Sequence, residues 1–390
     1  MRVLLVQPEY NFRRGFAETP SVALLILGTL ARQRGHEVRV VHLDIEREPV
    51  GEVIERFRPD VLGITVSTFQ VRSARLIAKE ARRVGNGVRV VVGGPHAEAW
   101  DGEADDVVVG EGENRWLEIL GERPSVESID DVPEPDYDLV RLSRFCGVLP
   151  TRALRSVAIM ASRGCPFNCT FCNTPVFWGK RVRYRSPELV VKEIEKLHRE
   201  HGVGEVFFQD DTFNVNHAWG AAIFEGLIER GLSERMAFKI TSRVNERLVT
   251  REFLEMARRA GVWNIFYGVE SGSQDMLDRM KKGVTVEEVR RAVRMTKEAG
   301  IEAQCSFIVG LPGETWETLR ETGELIRELK AERANWGFAT PFPNTEFDEE
   351  VTAKGHKLPL DYSQYDYNRL MVRTDALSFE DLASFRGFEL

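Results

Sequence analysis

Short aliphatic and β-branched runs at 2–6, 38–41, 61–66, 88–92 and 107–109 alternate with segments of helical spacing near 22–32 and 73–83. Apolar residues recurring every three to four positions mark one face of a helix, whereas short unbroken apolar runs between turn residues mark buried strands. Their alternation predicts a parallel, doubly wound sheet. The turns that close these strands are small and polar: Ser67-Thr68, Gly93-Gly94-Pro95-His96 and Gly110-Glu111-Gly112-Glu113. In such sheets ligands bind beyond the carboxyl ends of the strands, where these turns fall.

The pattern breaks between 122 and 155, where acids mix with Pro133 and Pro135, and this stretch reads as a linker or docking segment. Alternation resumes with strands expected at 157–161, 206–209, 238–241, 264–267, 303–309 and 336–339. Helices are expected at about 187–201, 218–230, 251–260, 286–299 and 314–329, with Pro187 and Gly300 as punctuation. About six β/α units fall short of the eight of a complete barrel. The expected α/β architecture is therefore a Rossmann-like domain over 1–121, a linker over 122–155, a partial (β/α)6 TIM-type barrel over 156–340, and a short C-terminal cap over 341–390. That cap reads as irregular, and substrate specificity is expected from it, through Phe342, Asn344 and Tyr362.

Composition narrows the partners. With 53 basic and 61 acidic side chains, a net charge of −8 argues against nucleic acid as a ligand. No apolar run reaches the roughly 18–20 residues of a membrane span. The opening MRVLLVQPEY lacks the long apolar stretch of a secretory signal, so a cytoplasmic protein is expected. Five cysteines are too few for a disulfide scaffold, yet Cys165, Cys169 and Cys172 lie within eight residues.

Those three sit in Arg163-Gly164-Cys165-Pro166-Phe167-Asn168-Cys169-Thr170-Phe171-Cys172, directly after the first barrel strand, on the face where barrels keep their chemistry. Structural zinc takes four protein ligands, usually as paired Cys-x-x-Cys, and no fourth ligand is near. A 4Fe–4S cluster held by three thiolates leaves one iron open to a ligand. Companion motifs fall at later strand ends: Gln209-Asp210-Asp211, Thr241-Ser242-Arg243, Gly268-Val269-Glu270-Ser271 and Gly310-Leu311-Pro312-Gly313-Glu314.

In this order the motifs resemble the radical S-adenosylmethionine (SAM) superfamily over about 155–345. The resemblance implies that Cys165, Cys169 and Cys172 bind a 4Fe–4S cluster whose open iron chelates SAM, which is reductively cleaved to a 5′-deoxyadenosyl radical. It also implies that Arg243 faces the methionyl carboxylate, that Glu270 and Ser271 face the ribose or amino group, and that Gly310 and the backbone of Phe171 lie near the adenine. Gln209, Asp210 and Asp211 would line the cofactor or the substrate, although an acid such as Asp211 can instead cap a helix. Lys180-Arg181-Val182-Arg183-Tyr184-Arg185 either clamps an anionic substrate group or forms salt bridges ahead of the helix at 187. Cys305 reads as core, and Cys146 carries no signal.

The first 120 residues resemble the cobalamin-binding domains fused to radical enzymes, on Thr19-Pro20-Ser21-Val22-Ala23, Gly35-His36-Glu37-Val38, Asp60-Val61-Leu62-Gly63-Ile64 and the glycine-rich turns above. The Asp-x-His-x-x-Gly motif that supplies a cobalt ligand elsewhere is absent, and His42 precedes Asp44 in the reverse order. By this resemblance Ser67, Thr68, Gly94, Pro95, His96, Gly110 and Glu111 line the corrinoid or its nucleotide tail. The implied enzyme is a cobalamin-dependent radical SAM enzyme acting on a small molecule or lipid, with an electron donor such as flavodoxin or ferredoxin, and transferring a methyl group to an unactivated carbon. The alternative is non-methylating radical chemistry: deoxygenation, cyclisation, ring contraction or carbon–carbon coupling. The related methylthiolation enzymes carry extra amino-terminal cysteines, and residues 1–145 contain none.

Overall fold

The computed structural model describes residues 1–11, 19–46, 48–84, 87–366 and 369–384. They form two compact units. The first comprises Met1–Ala158, Lys196–Val203 and Asp361–Asp366; the second comprises Ile159–Glu195, Gly204–Leu360 and Tyr367–Leu390. Residues 122–155 thus group with the amino-terminal sheet, as does a six-residue piece of the region read as a cap.

The first unit is built on five strands: β1 (Arg2–Gln7), β2 (Glu37–His42), β3 (Val61–Thr65), β4 (Arg89–Gly93) and β5 (Asp106–Val108). All pair in parallel, in the order β2-β1-β3-β4-β5. Val3, Leu4, Leu5 and Val6 are fully buried, so β1 is covered on both faces, as central strands of parallel sheets are. Strand order reverses at β1 and β3, which makes the turns after them the switch point where ligands of such sheets bind. Gly63 has a packing reason for its lack of a side chain: a Cβ there would lie 2.6 Å from Leu5 Cδ2 and 3.2 Å from the Trp116 ring.

β6 (Ser156–Ile159) ends where the second unit begins, and that unit carries a two-residue antiparallel ribbon of β7 (Ser162–Arg163) and β8 (Arg183–Tyr184), then β9 (Glu205–Phe208), β10 (Ala237–Ser242), β11 (Val262–Glu270), β12 (Glu302–Val309) and β13 (Arg333–Phe338). Its main sheet has six strands in sequential order, β13-β12-β11-β10-β9-β6. That is the expected open barrel. The described end of the chain packs Leu377 and Leu382 with Val309, Leu319 and Phe338, covering the turn after β12.

Several short elements depart from the sequence pattern, among them helix Gln274–Arg279 after β11. Helices Val50–Phe57 and Glu113–Ile119 were not anticipated, being only eight and seven residues long. The tail is not irregular throughout: helix Glu346–Ala353 forms behind Thr345, whose hydroxyl accepts from the Asp348 N–H. No helix among the described residues is long and apolar enough to cross a membrane.

At the end of β2, buried His42 accepts a hydrogen bond at Nε2 from the Ser21 N–H, beside the N-cap of helix Val22–Gln33. Burial lowers its pKa from 6.5 to about 4. A depressed folded-state value means that stability is present above pH 6.5 and is lost as pH falls towards 4. Native stability is therefore expected to drop by about 2 kcal/mol from this site between pH 7 and pH 5. His42→Gln should flatten that slope in denaturant unfolding; equal slopes in both proteins would contradict the assignment.

Candidate active site

The loop after β6 is shaped by backbone constraints before any cofactor enters. Gly164 has φ +100, and a Cβ there would stand 2.5 Å from the Arg181 carbonyl oxygen, so only glycine fits. Its N–H donates to Asp211 Oδ2 at 3.2 Å, while Asp211 Oδ1 accepts from the Thr174 hydroxyl at 2.8 Å. Asp211 is thus a brace across the cysteine loop; the following helix, His217–Glu229, is capped by Asn216 instead. Thr170 N–H donates to the Met280 carbonyl, and the Phe347 N–H donates to the Thr170 carbonyl.

All five cysteines are unbridged. Cys165 is buried, Cys169 and Cys172 are half-buried, and desolvation raises the thiol pKa of Cys165 and Cys172. Among the described residues no group of three or more His, Cys, Asp or Glu side chains could hold a single metal ion. A polynuclear cluster asks for something different, because each thiolate takes a separate iron. Three unbridged thiols on one loop suit that donor requirement. Cys305 is core, as expected, with burial pushing its thiol up to about 12.

Arg243, one residue beyond β10, reaches this loop. It is 5% exposed. Its Nη1 donates to Cys169 Sγ at 3.4 Å, Nε to Asn245 Oδ1 at 3.0 Å, and Nη2 to the Lys282 carbonyl. The guanidinium lies 3.7 Å over the Phe167 ring. A guanidinium has five N–H donors, so two remain for a ligand carboxylate.

The other strand ends differ in what they present. Gln209 is exposed at the mouth, and Phe171 is half-buried. Asp210 is buried and accepts from the Ser162 hydroxyl at 2.5 Å; desolvation raises its pKa to about 7. Glu270 sits at φ +74, a strained conformation for a residue with a Cβ, where the β11–β12 register shifts. Its Oε1 is 2.7 Å from Lys282 Nζ, and both side chains are almost fully buried. Ser271 is fully buried, with its hydroxyl on Thr322 Oγ1 and the Ser273 N–H, an arrangement that holds the loop. Gly310, at φ +86, donates its N–H to buried Glu314, whose carboxyl burial lifts to about 7.

The cation run resolves into different roles. Arg185 pairs with Glu193 at 2.5 Å in the interior, while Lys180 and Arg181 are exposed without an ion pair among the described residues. Lys282, the buried partner of Glu270, is a side chain at this site that the sequence reading did not single out. Its only signal was a lysine ahead of Gly283 in a turn, with an acid twelve residues upstream.

In the first unit, Ser67, Thr68, Gly94, Pro95 and His96 gather at the carboxyl ends of β3 and β4. Gly94 has φ +106, and a Cβ would fall 2.9 Å from Thr65 Oγ1 and from the Val66 backbone. The Ser67 hydroxyl and N–H both donate to Gln70 Oε1. Thr68 Oγ1 lies 3.0 Å from His96 Nδ1, and the His96 ring meets Tyr362 edge-on at 4.6 Å. His96 is 1% exposed, and burial lowers its pKa to about 4. It is a neutral, enclosed imidazole whose Nδ1 faces Thr68 and whose buried Nε2 has no hydrogen-bond partner among the described residues. Pro95 and Glu111 are exposed, and nothing stands within 4 Å of a Cβ built on Gly110. Bare backbone at these turns suits a flat, bulky ligand.

Residues 159–326 match the radical SAM superfamily, and residues 16–120 match the B12 binding domain. An uncharacterized methyltransferase of Pyrococcus horikoshii is 31% identical, across 94% of this chain and 86% of its own length. The anaerobic magnesium-protoporphyrin IX monomethyl ester cyclase of Cereibacter sphaeroides is 28% identical, across 98% of this chain and 68% of its own. Among solved structures, the radical SAM methyltransferase TsrM of Kitasatospora setae shares the fold at TM-score 0.70 and 23% identity, covering 90% of this chain and 76% of its own.

Replacing Cys165, Cys169 or Cys172 singly by alanine is expected to abolish iron retention after anaerobic reconstitution. Cys146→Ala and Cys305→Ala should keep it. Iron and sulfide analysis of the desalted proteins checks this, and iron retained at the wild-type level in any of the first three variants would contradict it.

Proposed function

We propose that this chain, which belongs to the cobalamin-binding enzymes of the radical SAM superfamily, transfers a methyl group to an unactivated carbon of a small-molecule or lipid substrate. The carrying observation is a pair of sites in one chain: a three-thiol loop at the end of β6, and glycine-rich turns at the end of a separate parallel sheet. Similarity to a protein named as a methyltransferase extends over 94% of the chain and so takes in both. When bound, the cluster and SAM supply a 5′-deoxyadenosyl radical, and the corrinoid supplies the methyl group.

The chain's own residues hold, orient and shield. In our reading Cys165, Cys169 and Cys172 bind as thiolates and leave one iron without a protein ligand. Because desolvation disfavours the free thiolates of Cys165 and Cys172, they lose their protons as metal binds. The Arg243 N–H on the Cys169 sulfur ties that ligand to the end of β10. Its two remaining donors take the SAM carboxylate. Glu270 and Gln209 face the polar groups of the same ligand, Gly310 and the Phe171 backbone border its adenine, and Asp210 braces Ser162. Ser271 supports this wall through Thr322.

At the other sheet, Gly94, Pro95, Gly110 and Glu111 border the corrinoid or its tail. Ser67, Thr68 and His96 prop those turns through their bonds to Gln70 and to each other. SAM cleavage consumes one electron, which we assign to a flavodoxin- or ferredoxin-class donor in the cytoplasm.

The cyclase relative, alike over nearly the whole chain, favours a second reading in which the radical acts without methyl transfer. Products decide between them. With substrate and reductant, methyl transfer yields S-adenosylhomocysteine together with 5′-deoxyadenosine, and desalted protein retains stoichiometric corrinoid. 5′-Deoxyadenosine alone would overturn methyl transfer in favour of the second reading.

A further inference from the structure

We propose that Lys282 is a positioning residue that couples the SAM pocket to the cysteine loop, clamping Glu270 with its ammonium while its carbonyl holds Arg243. The proposal rests on the reading of Arg243 and Glu270 as SAM contacts.

The turn that carries Lys282 faces three ways. The Met280 carbonyl accepts from the Thr170 N–H at 3.0 Å, between Cys169 and Cys172. The Lys282 carbonyl accepts from Arg243 Nη2. The Gly283 carbonyl accepts from Asn245 Nδ2 at 2.8 Å, and Asn245 Oδ1 holds Arg243 Nε. Two left-handed residues, Lys281 at φ +52 and Gly283 at φ +65, aim these carbonyls. One short turn therefore fixes the cysteine loop and both ends of the Arg243 contact set.

The side chain of Lys282 points at Glu270 and lies 5.9 Å from the centroid of the Phe171 ring. Gly268 makes room for the pair: a Cβ there would fall 2.5 Å from Glu270 Oε1 and 2.9 Å from Lys282 Nζ. A buried ion pair is weak evidence of a stability role, since apolar replacements often serve as well. Here the pair spans a strained acid and a turn bonded to the cysteine loop, and so it orders functional parts. It also keeps the Glu270 charge compensated beside an arginine whose free donors await a carboxylate. Lys281, the neighbour, pairs at the exposed surface with Glu346 and serves as the control.

The test measures SAM affinity of anaerobically reconstituted protein by equilibrium dialysis, with iron content as the folding check. Lys282→Met is expected to weaken SAM binding at least tenfold at unchanged iron content, while Lys281→Met binds like wild type. The double variant Lys282→Met/Glu270→Gln leaves no unpaired buried charge and is the safer fold. It should bind no more weakly than Glu270→Gln alone, because Lys282 acts through Glu270. Lys282→Met binding within twofold of wild type, or a double variant whose loss is the product of the two single losses, would overturn the proposal. Wild-type protein that retains iron yet binds no SAM would instead overturn the functional reading on which it stands.

Discussion

The contact between the Arg243 guanidinium and the Cys169 sulfur organises the second unit. A loop that is to bind a metal has to be held in shape, and a buried guanidinium at hydrogen-bond distance from the Cys169 sulfur fastens this one to the end of β10. Holding the cation there takes a stack on Phe167, a side-chain acceptor in Asn245 and a carbonyl from the Lys282 turn. Each of these comes from a different piece of chain, and Asp211 fastens the remaining side of the loop to Gly164 and Thr174. The cysteines are near one another in sequence, but their setting is assembled with chain from beyond β9, β10 and β11.

Both units place their polar turns at the carboxyl ends of parallel strands, and in both the backbone does much of the shaping. Gly94 and Gly164 stand at positive φ with backbone atoms within 3 Å of where a Cβ would go. Glu270 accepts the same kind of backbone without being glycine. Such strain persists only where surrounding contacts over-determine it, and the buried Lys282 ammonium is one contact on this side chain.

Much of this was legible in the sequence, for reasons that can be named. The six barrel strands announce themselves as short apolar runs between turn residues, and Cys165, Cys169 and Cys172 carry their spacing on their face. Arg243 could be placed at a strand end beside the site, and the structure puts it there. Helix Val50–Phe57 was hidden because it is short and lies between Pro49 and Pro59 with Gly51 inside it. The association of Asp361–Asp366 with the first unit rests on Arg75 bonding Asp361 and on Tyr362 covering His96, across more than 260 positions. No periodicity encodes such a pairing. The Lys282–Glu270 pair was invisible for the same reason: it depends on a register shift in β11 that only the folded sheet defines.

Everything proposed for this site depends on an iron left open by three thiolates and reached by a ligand held at Arg243. Electron paramagnetic resonance of the anaerobically reconstituted, one-electron-reduced protein, recorded with and without SAM, tests this most directly. The expected result is a 4Fe–4S signal whose g-values shift when SAM is added, because a new ligand joins the cluster. A 4Fe–4S signal that SAM leaves unchanged would contradict it.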